Sequence, residues 1–370
     1  MTRISPLCAA LLLVLSPAMV PAMAKGHDKP APAPDLSGKD PHWVLDATSG
    51  CWAYAINTDK QKAVSWSGAC KNHLLDGRGT LIWTGSGETD TGEFHFGKLN
   101  GDGRWEATDG SYVQGHFTDD APEGAVTIHK SDGTLFIGNF HGGKPNGAGT
   151  ITYPNGSRYA GNFTNGKFDG AGDLLFSNGN HYVGGFQNGK LDGDGTFTYA
   201  LGGSYVGHFH EGAFDGSGKL AYRTGASYAG MFHAWRPDGH GIETLTNGAT
   251  LEADFHAGEP GDEAVYRMPD GTVLKGHVQQ PQHDPATPMD KPDYPELALH
   301  SGVEGDAIIA VTIGVDGKVK YARLIKSSGN NDLDQSVLSA SASWHMIAGS
   351  VGGTLVEMEY LKEIHFKLQQ

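Results

Sequence analysis

Cysteine, basic charge and long apolar runs are all scarce in this chain. Three cysteines occur in 370 residues and no Cys-x-x-Cys is among them, which disfavours a catalytic redox pair. Lysine and arginine number 27 against 42 aspartates and glutamates, a formal net charge of −15. That balance argues against nucleic acid, or an anionic membrane surface, as a general partner. Only 19% of residues are charged, yet aromatic residues recur at regular spacing, which excludes a wholly disordered chain. Chemistry is missing too. No nucleophile accompanies a base, and no Gly-Lys-Ser/Thr follows the many Gly-x-Gly triplets, so no phosphate loop is present. The expectation is a protein that is not an enzyme and carries no cofactor.

The main apolar run, Leu7 to Val20, is short and broken by Pro17. It follows the basic start Met1-Thr2-Arg3 and leads to Ala22-Met23-Ala24, an A-x-A cleavage signal. Residues 1–24 therefore read as a secretory signal peptide, which places the mature chain in the periplasm or cell envelope. If the run is retained, it becomes an inner-membrane anchor; a mature protein that starts at Lys25 removes that alternative. A Pro/Ala-rich linker over residues 25–50 follows. Beyond the leader two cysteines remain, Cys51 and Cys70, and an even count in an exported protein points to a disulfide.

Glycine is abundant, with 55 residues, and its placement is periodic. From Asp90 to Val278 a pattern returns every 23 residues. Its fifth position is Phe94, Phe117, Phe140, Phe163, Phe186, Phe209, Phe232 and Phe255. The third is glycine from Gly92 to Gly230 and then Ala253; the twenty-first is glycine throughout. A fixed period of this length marks a repeat architecture. Each unit reads as a β-hairpin, because alternation puts Tyr159, Gly161 and Phe163 on one strand face. Asn165-Gly166 opens a loop. Asn-Gly or Asp-Gly closes most repeats, as at Asn155-Gly156, and predicts a type I′ turn there. The phenylalanines would line one face as a core that no single repeat could form alone. The fold class expected is mainly β, an elongated antiparallel hairpin sheet.

The sequence Tyr159 to Gly179, Y-x-G-x-F-x-N-G-K-x-x-G-x-G-x-x-x-Y/F-x-N-G, resembles the MORN repeat. The array spans residues 51–278, with a degenerate first repeat around Trp66-Ser67-Gly68-Ala69-Cys70, so a Cys51–Cys70 bridge would staple its open edge. The resemblance implies a scaffold, spacer or interaction surface. An envelope lipid or a cell-wall ligand on the aromatic face is a further candidate, and a one-layer sheet with so much apolar area suggests self-association.

After a linker at residues 279–290 the period stops. Residues 291–370 read as α-β-β-α-β, with a helix over 331–346 and a last strand from about Val356 to Phe366. Tyr294, Pro295, Gly305, Asp316, Gly317, Ser327, Ser328, Gly329, Leu333 and Asp334 together resemble the TonB C-terminal domain. One departure is plain: the family runs from the helix tryptophan into a basic, proline-containing turn, whereas this chain reads Trp344-His345-Met346-Ile347-Ala348-Gly349. The resemblance implies a module that captures a partner's extended segment on a sheet edge. Val356, Met358 and Tyr360 mark the expected edge. The partner would be an outer-membrane receptor or a periplasmic protein, and a membrane-anchored energy transducer for outer-membrane uptake is the rival reading.

Histidine offers a weaker signal. Eighteen occur, and His95, His141, His210, His233 and His256 share the sixth repeat position. Neighbouring repeats lie about 9.5 Å apart, so these cannot share one metal ion. His208 and His210, two apart on one strand, are weak candidates for half a site; otherwise the surface is a solvated polar face. Asp192-Gly193-Asp194-Gly195 hints at a calcium loop but lacks the bidentate glutamate.

Overall fold

The computed structural model describes residues 40–58, 63–287 and 289–368. The expected signal peptide, and the spacer as far as residue 39, lie outside the described residues. The fold is mainly β, 60% strand and 5% helix, with antiparallel hairpin repeats followed by a small α+β domain. The chain divides into two units between Lys190 and Leu191.

In the first unit the repeat explains itself at Tyr159. Strand Arg158–Thr164 pairs with Lys167–Leu175, so that Gly161 faces Gly172 and Phe163 faces Phe168. The Tyr159 ring stacks on Phe168 at 3.7 Å and meets Phe163 and Phe186 edge-on at 5.2 and 5.1 Å. Its hydroxyl donates to the Asn162 carbonyl at 2.8 Å. To do so the ring lies across the paired glycines, and a Cβ on Gly172 would stand 2.5 Å from a ring carbon. The glycines are therefore the floor on which each tyrosine rests.

The two turns of the hairpin exchange the roles expected of them. Asn165 and Gly166 both have positive φ, 51° and 82°, so the two-residue type I′ turn sits at the loop after the phenylalanine. At Asn155-Gly156 only Gly156 is left-handed, with φ 86°. Its N–H donates to Tyr153 O, and the Tyr153 N–H donates to Ser157 O, a three-residue turn closed by a glycine bulge. The Asn155 carboxamide accepts the Ser157 N–H at 3.0 Å, which favours the right-handed conformation. An Asn-Gly pair fits either turn; the register of the flanking strands decides between them.

All eight fifth-position phenylalanines are buried, 0–4% exposed. They pack with tenth-position residues that the sequence reading passed over, among them Leu99, Phe168, Leu191 and Phe214. Stacked rings of the same chain fill the aromatic face. Among the described residues the phenylalanines of that face are covered by the chain itself.

The array's amino-terminal end is closed by short strands. Trp43–Leu45 pairs with Trp52–Tyr54, which runs parallel to Leu74–Trp83 at a single residue pair. The spacer drawn to residue 50 therefore ends before Trp43. A disulfide joins Cys51 and Cys70, with Cα atoms 5.8 Å apart. Beside it, buried Asp46 accepts the N–H groups of Thr48, Ser49 and Trp66 and the Ser49 hydroxyl. Burial pushes the Asp46 carboxyl up, but these bonds outweigh it and leave it below its ordinary value. Asp90 is the contrary case. It occupies a position that is aromatic in most repeats, and burial pushes it up to about 7 despite a 2.8 Å bond from Trp83 Nε1.

In the second unit the hairpins continue to strand Val273–Gln279 with the same ring geometry, Tyr205 stacked on Phe214 at 3.7 Å. The C-terminal domain has a helix at Glu296–His300, strands Gly305–Ile313 and Val319–Lys326, a helix at Asn331–Ser341 and the strand Met358–Phe366. Gly305–Ile313 is central in the three-stranded sheet. The second helix ends at Ser341, short of the expected residue 346. The Ser341 and Ser343 hydroxyls donate to the carbonyls of Leu338 and Ala340, at 2.8 Å each, and turn the chain out of the helix. Residues 279–290 are more than a linker, because Gln282–His283 pairs with Met346–Ile347.

Candidate functional site: the C-terminal sheet and its open edge

Alternation along the central strand divides the sheet into two faces. Ala307, Ile309, Val311 and Ile313 join Leu333, Val337, Trp344 and Phe366 in one core on the helix side. Ile308 and Ala310, with Ile325, pack against Tyr222 of the repeats and Leu361. Both faces are thus covered, and backbone hydrogen bonding is available only at the edges.

The two edges differ. At the start of Val319–Lys326, Lys318 already bridges to His345, and the Met346 N–H donates to Gly317 O. Strand Met358–Phe366 pairs with Gly305–Ile313 at nine positions and, among the described residues, with no other strand. Its outer side carries unpaired backbone groups, the template for another strand. Of the three expected edge residues, Tyr360 is half-buried within this strand and Met358 begins it, buried. Val356 drops out: it precedes the strand, is buried, and its N–H is taken by Gly349 O at 3.0 Å.

The residues that carried the family resemblance prove architectural. Tyr294 donates its hydroxyl to Val303 O and meets Phe366 edge-on at 5.4 Å, while Pro295 caps the first helix. A Cβ on Gly305 would stand 2.3 Å from Ser328 O, and one on Gly317 would stand 2.1 Å from Met346 O. Asp316 accepts the Lys318 N–H at 3.2 Å to shape the turn. Buried Asp334 accepts the hydroxyls of Ser327 and Ser328 at 2.5 and 2.7 Å and the Ser328 N–H at 2.8 Å. Gly329 turns left-handed (φ 93°), and Leu333 is fully buried. These residues build the domain and hold the edge strand Met358–Phe366 in place.

Several residues of the site escaped the sequence reading. Ser350 and Val351, beyond the departure at Trp344, pair with Gln279 and Val278 and so extend the array's last strand. This segment thereby covers an edge of the array. Arg323 sits 3.5 Å over the Tyr222 ring and pairs with Glu359, and Arg236 of the repeats pairs with Glu363 at 2.6 Å. Leu361 packs onto Gly258, where a Cβ would come within 1.9 Å. The one sequence signal was Glu243, a carboxylate at the sixteenth repeat position, which is apolar in most repeats. Burial is the largest cause raising its carboxyl well above the ordinary value, followed by the charge of Glu359, with Arg323 opposing.

The histidine surface is organised by pairs. His208 contacts Asp194 at 3.3 Å and His210 contacts Asp192 at 3.2 Å. Asp192 also accepts the Glu211 N–H at 3.2 Å, so the acidic Asp192-Gly193-Asp194 run caps a turn. Among the described residues, no group of three or more His, Cys, Asp or Glu is placed to hold a metal ion.

Residues 290–368 match the family described as Gram-negative bacterial TonB protein C-terminal. The MORN repeat matches six times, at 91–112, 136–158, 159–181, 182–204, 205–227 and 228–250. Protein TonB of Xanthomonas campestris pv. campestris (strain B100) is 37% identical over 65 residues, covering 18% of this chain and 29% of that protein. Protein TonB of Pseudomonas aeruginosa is 30% identical over 82 residues, covering 22% and 24%. The solution structure of the Pseudomonas aeruginosa TonB C-terminal domain is matched at 27% identity over 25% of this chain and 88% of that one, with a TM-score of 0.20. The chain thus combines a MORN repeat array with a TonB C-terminal-like domain. It spans less than a third of the curated relatives it matches.

Proposed function

We propose that this is a non-catalytic binding protein of the bacterial envelope, exported to the periplasm. Its C-terminal domain takes up an extended segment of an outer-membrane receptor or periplasmic protein as a fourth strand beside Met358–Phe366. The observation that carries this reading is the one-sided pairing of that strand, in a sheet whose faces are both covered and whose other edge is partly occupied. Such strand addition draws affinity from main-chain hydrogen bonds and specificity from alternate side chains. Similarity to TonB C-terminal regions supports a protein partner. The repeats serve as the base on which the domain is mounted.

The test is a photo-crosslinking residue placed singly at positions 360 to 365 in cells. Adducts with an outer-membrane protein are expected along this strand. Adducts confined to Val319–Lys326 would move the binding edge, and none at either edge would end the strand-capture reading.

A further inference from the structure

Glu243 breaks the repeat. The other sixteenth positions hold Trp105, Ile128, Ile151, Leu174, Phe197, Leu220 and Tyr266. Glu243 is nonetheless 5% exposed. Register sets it opposite Tyr228 on one side and Leu251 on the other. Facing it from the C-terminal sheet are Arg323 and Glu359. Its other titratable neighbours are Tyr222, Tyr228 and Tyr266; nearby Glu357 is buried but paired with Lys320 at 2.9 Å.

Arg323 pairs with Glu359, and its charge reaches Glu243 without a hydrogen bond to it, so two carboxylates lie near one guanidinium. Oε1 of Glu243 and Oε1 of Glu359 are both buried with no hydrogen-bond partner. Two acceptors cannot satisfy each other, and two buried like charges repel strongly. One proton resolves both problems. A protonated carboxyl donates to its neighbour, and the single remaining negative charge matches Arg323.

We propose that a proton held on Glu243 of the repeats and donated to Glu359 of the C-terminal sheet latches the domain onto the last repeats, and that its loss as pH rises weakens the docking. The sign follows from linkage. The docked state holds this proton more tightly than a free glutamate does, so docking is strongest below the free-glutamate range and weakens as pH climbs toward the docked value. The latch holds or fails independently of strand capture, because it lies on the array-facing side of the sheet.

Hydrogen exchange of the full chain between pH 6 and 9, corrected for intrinsic rates, tests it. Protection of residues 345–357 should fall with rising pH by up to about tenfold per unit, the slope of one proton, while strand Arg158–Thr164 keeps its protection. E243Q, with a permanent amide donor, should remain docked and lose the slope. E243L, carrying the side chain found at Leu220, should also lose it; if E243L does not dock, E243Q decides. A flat wild-type profile, or an unchanged slope in E243Q, would overturn the latch.

Discussion

Tyr159 lies across Gly161 and Gly172 with no space left for a methyl group. G172A should therefore lower stability by about 1–3 kcal/mol, the usual cost of overpacking, seen as a fall in the urea midpoint. An unchanged midpoint would show that the ring can swing aside. The glycine itself was plain in the sequence, whereas its purpose was not. A glycine reports only that no Cβ is tolerated; which ring comes close depends on the register of two strands. Asp334 teaches the same lesson from the polar side. Its spacing from Ser327 and Ser328 marked the family, and only the folded chain shows that it knits three hydrogen bonds beneath the helix.

Among the elements, the hairpins were legible because their alternation recurs eight times, so an accidental match in one repeat is outvoted by the others. The turn types were misassigned because Asn-Gly suits two geometries. Segment 345–357 was opaque for a different reason. Its strands pair with residues 278–283, far upstream, and no local period announces such a partner. The amino-terminal cap is the element whose stability depends most on a covalent bond. The C51S/C70S double variant should lose about 3 kcal/mol, the entropy of a loop of this length. Equilibrium denaturation of oxidised and variant chains would measure it, and coincident curves would leave the bridge without a stabilising role.

For the molecule as a whole, nearest-neighbour contacts dominate within the array, so repeats should be separable where nothing else leans on them. Deleting residues 136–158, one full period, should leave both units folded with a modest loss of stability. Deleting 228–250 removes Arg236 and Glu243 and should strip protection from residues 345–357 in hydrogen exchange. Equal effects of the two deletions would refute the specific seat. The domain order was legible from the change of period after Val278. The seat itself was not, because it is written in single residues that break the repeat and in a segment whose strand partners lie far upstream.

The pairing of Val278 and Gln279 with Val351 and Ser350 also sets an order of events in time. Hairpins between adjacent strands close short loops and form early, while this last ladder waits for chain that lies far downstream. Until that chain arrives, strand Val273–Gln279 presents bare amides and carbonyls to the solvent. Refolding at high concentration then becomes a race between the chain's own late segment and the equivalent strand of another molecule, and dilution decides the winner.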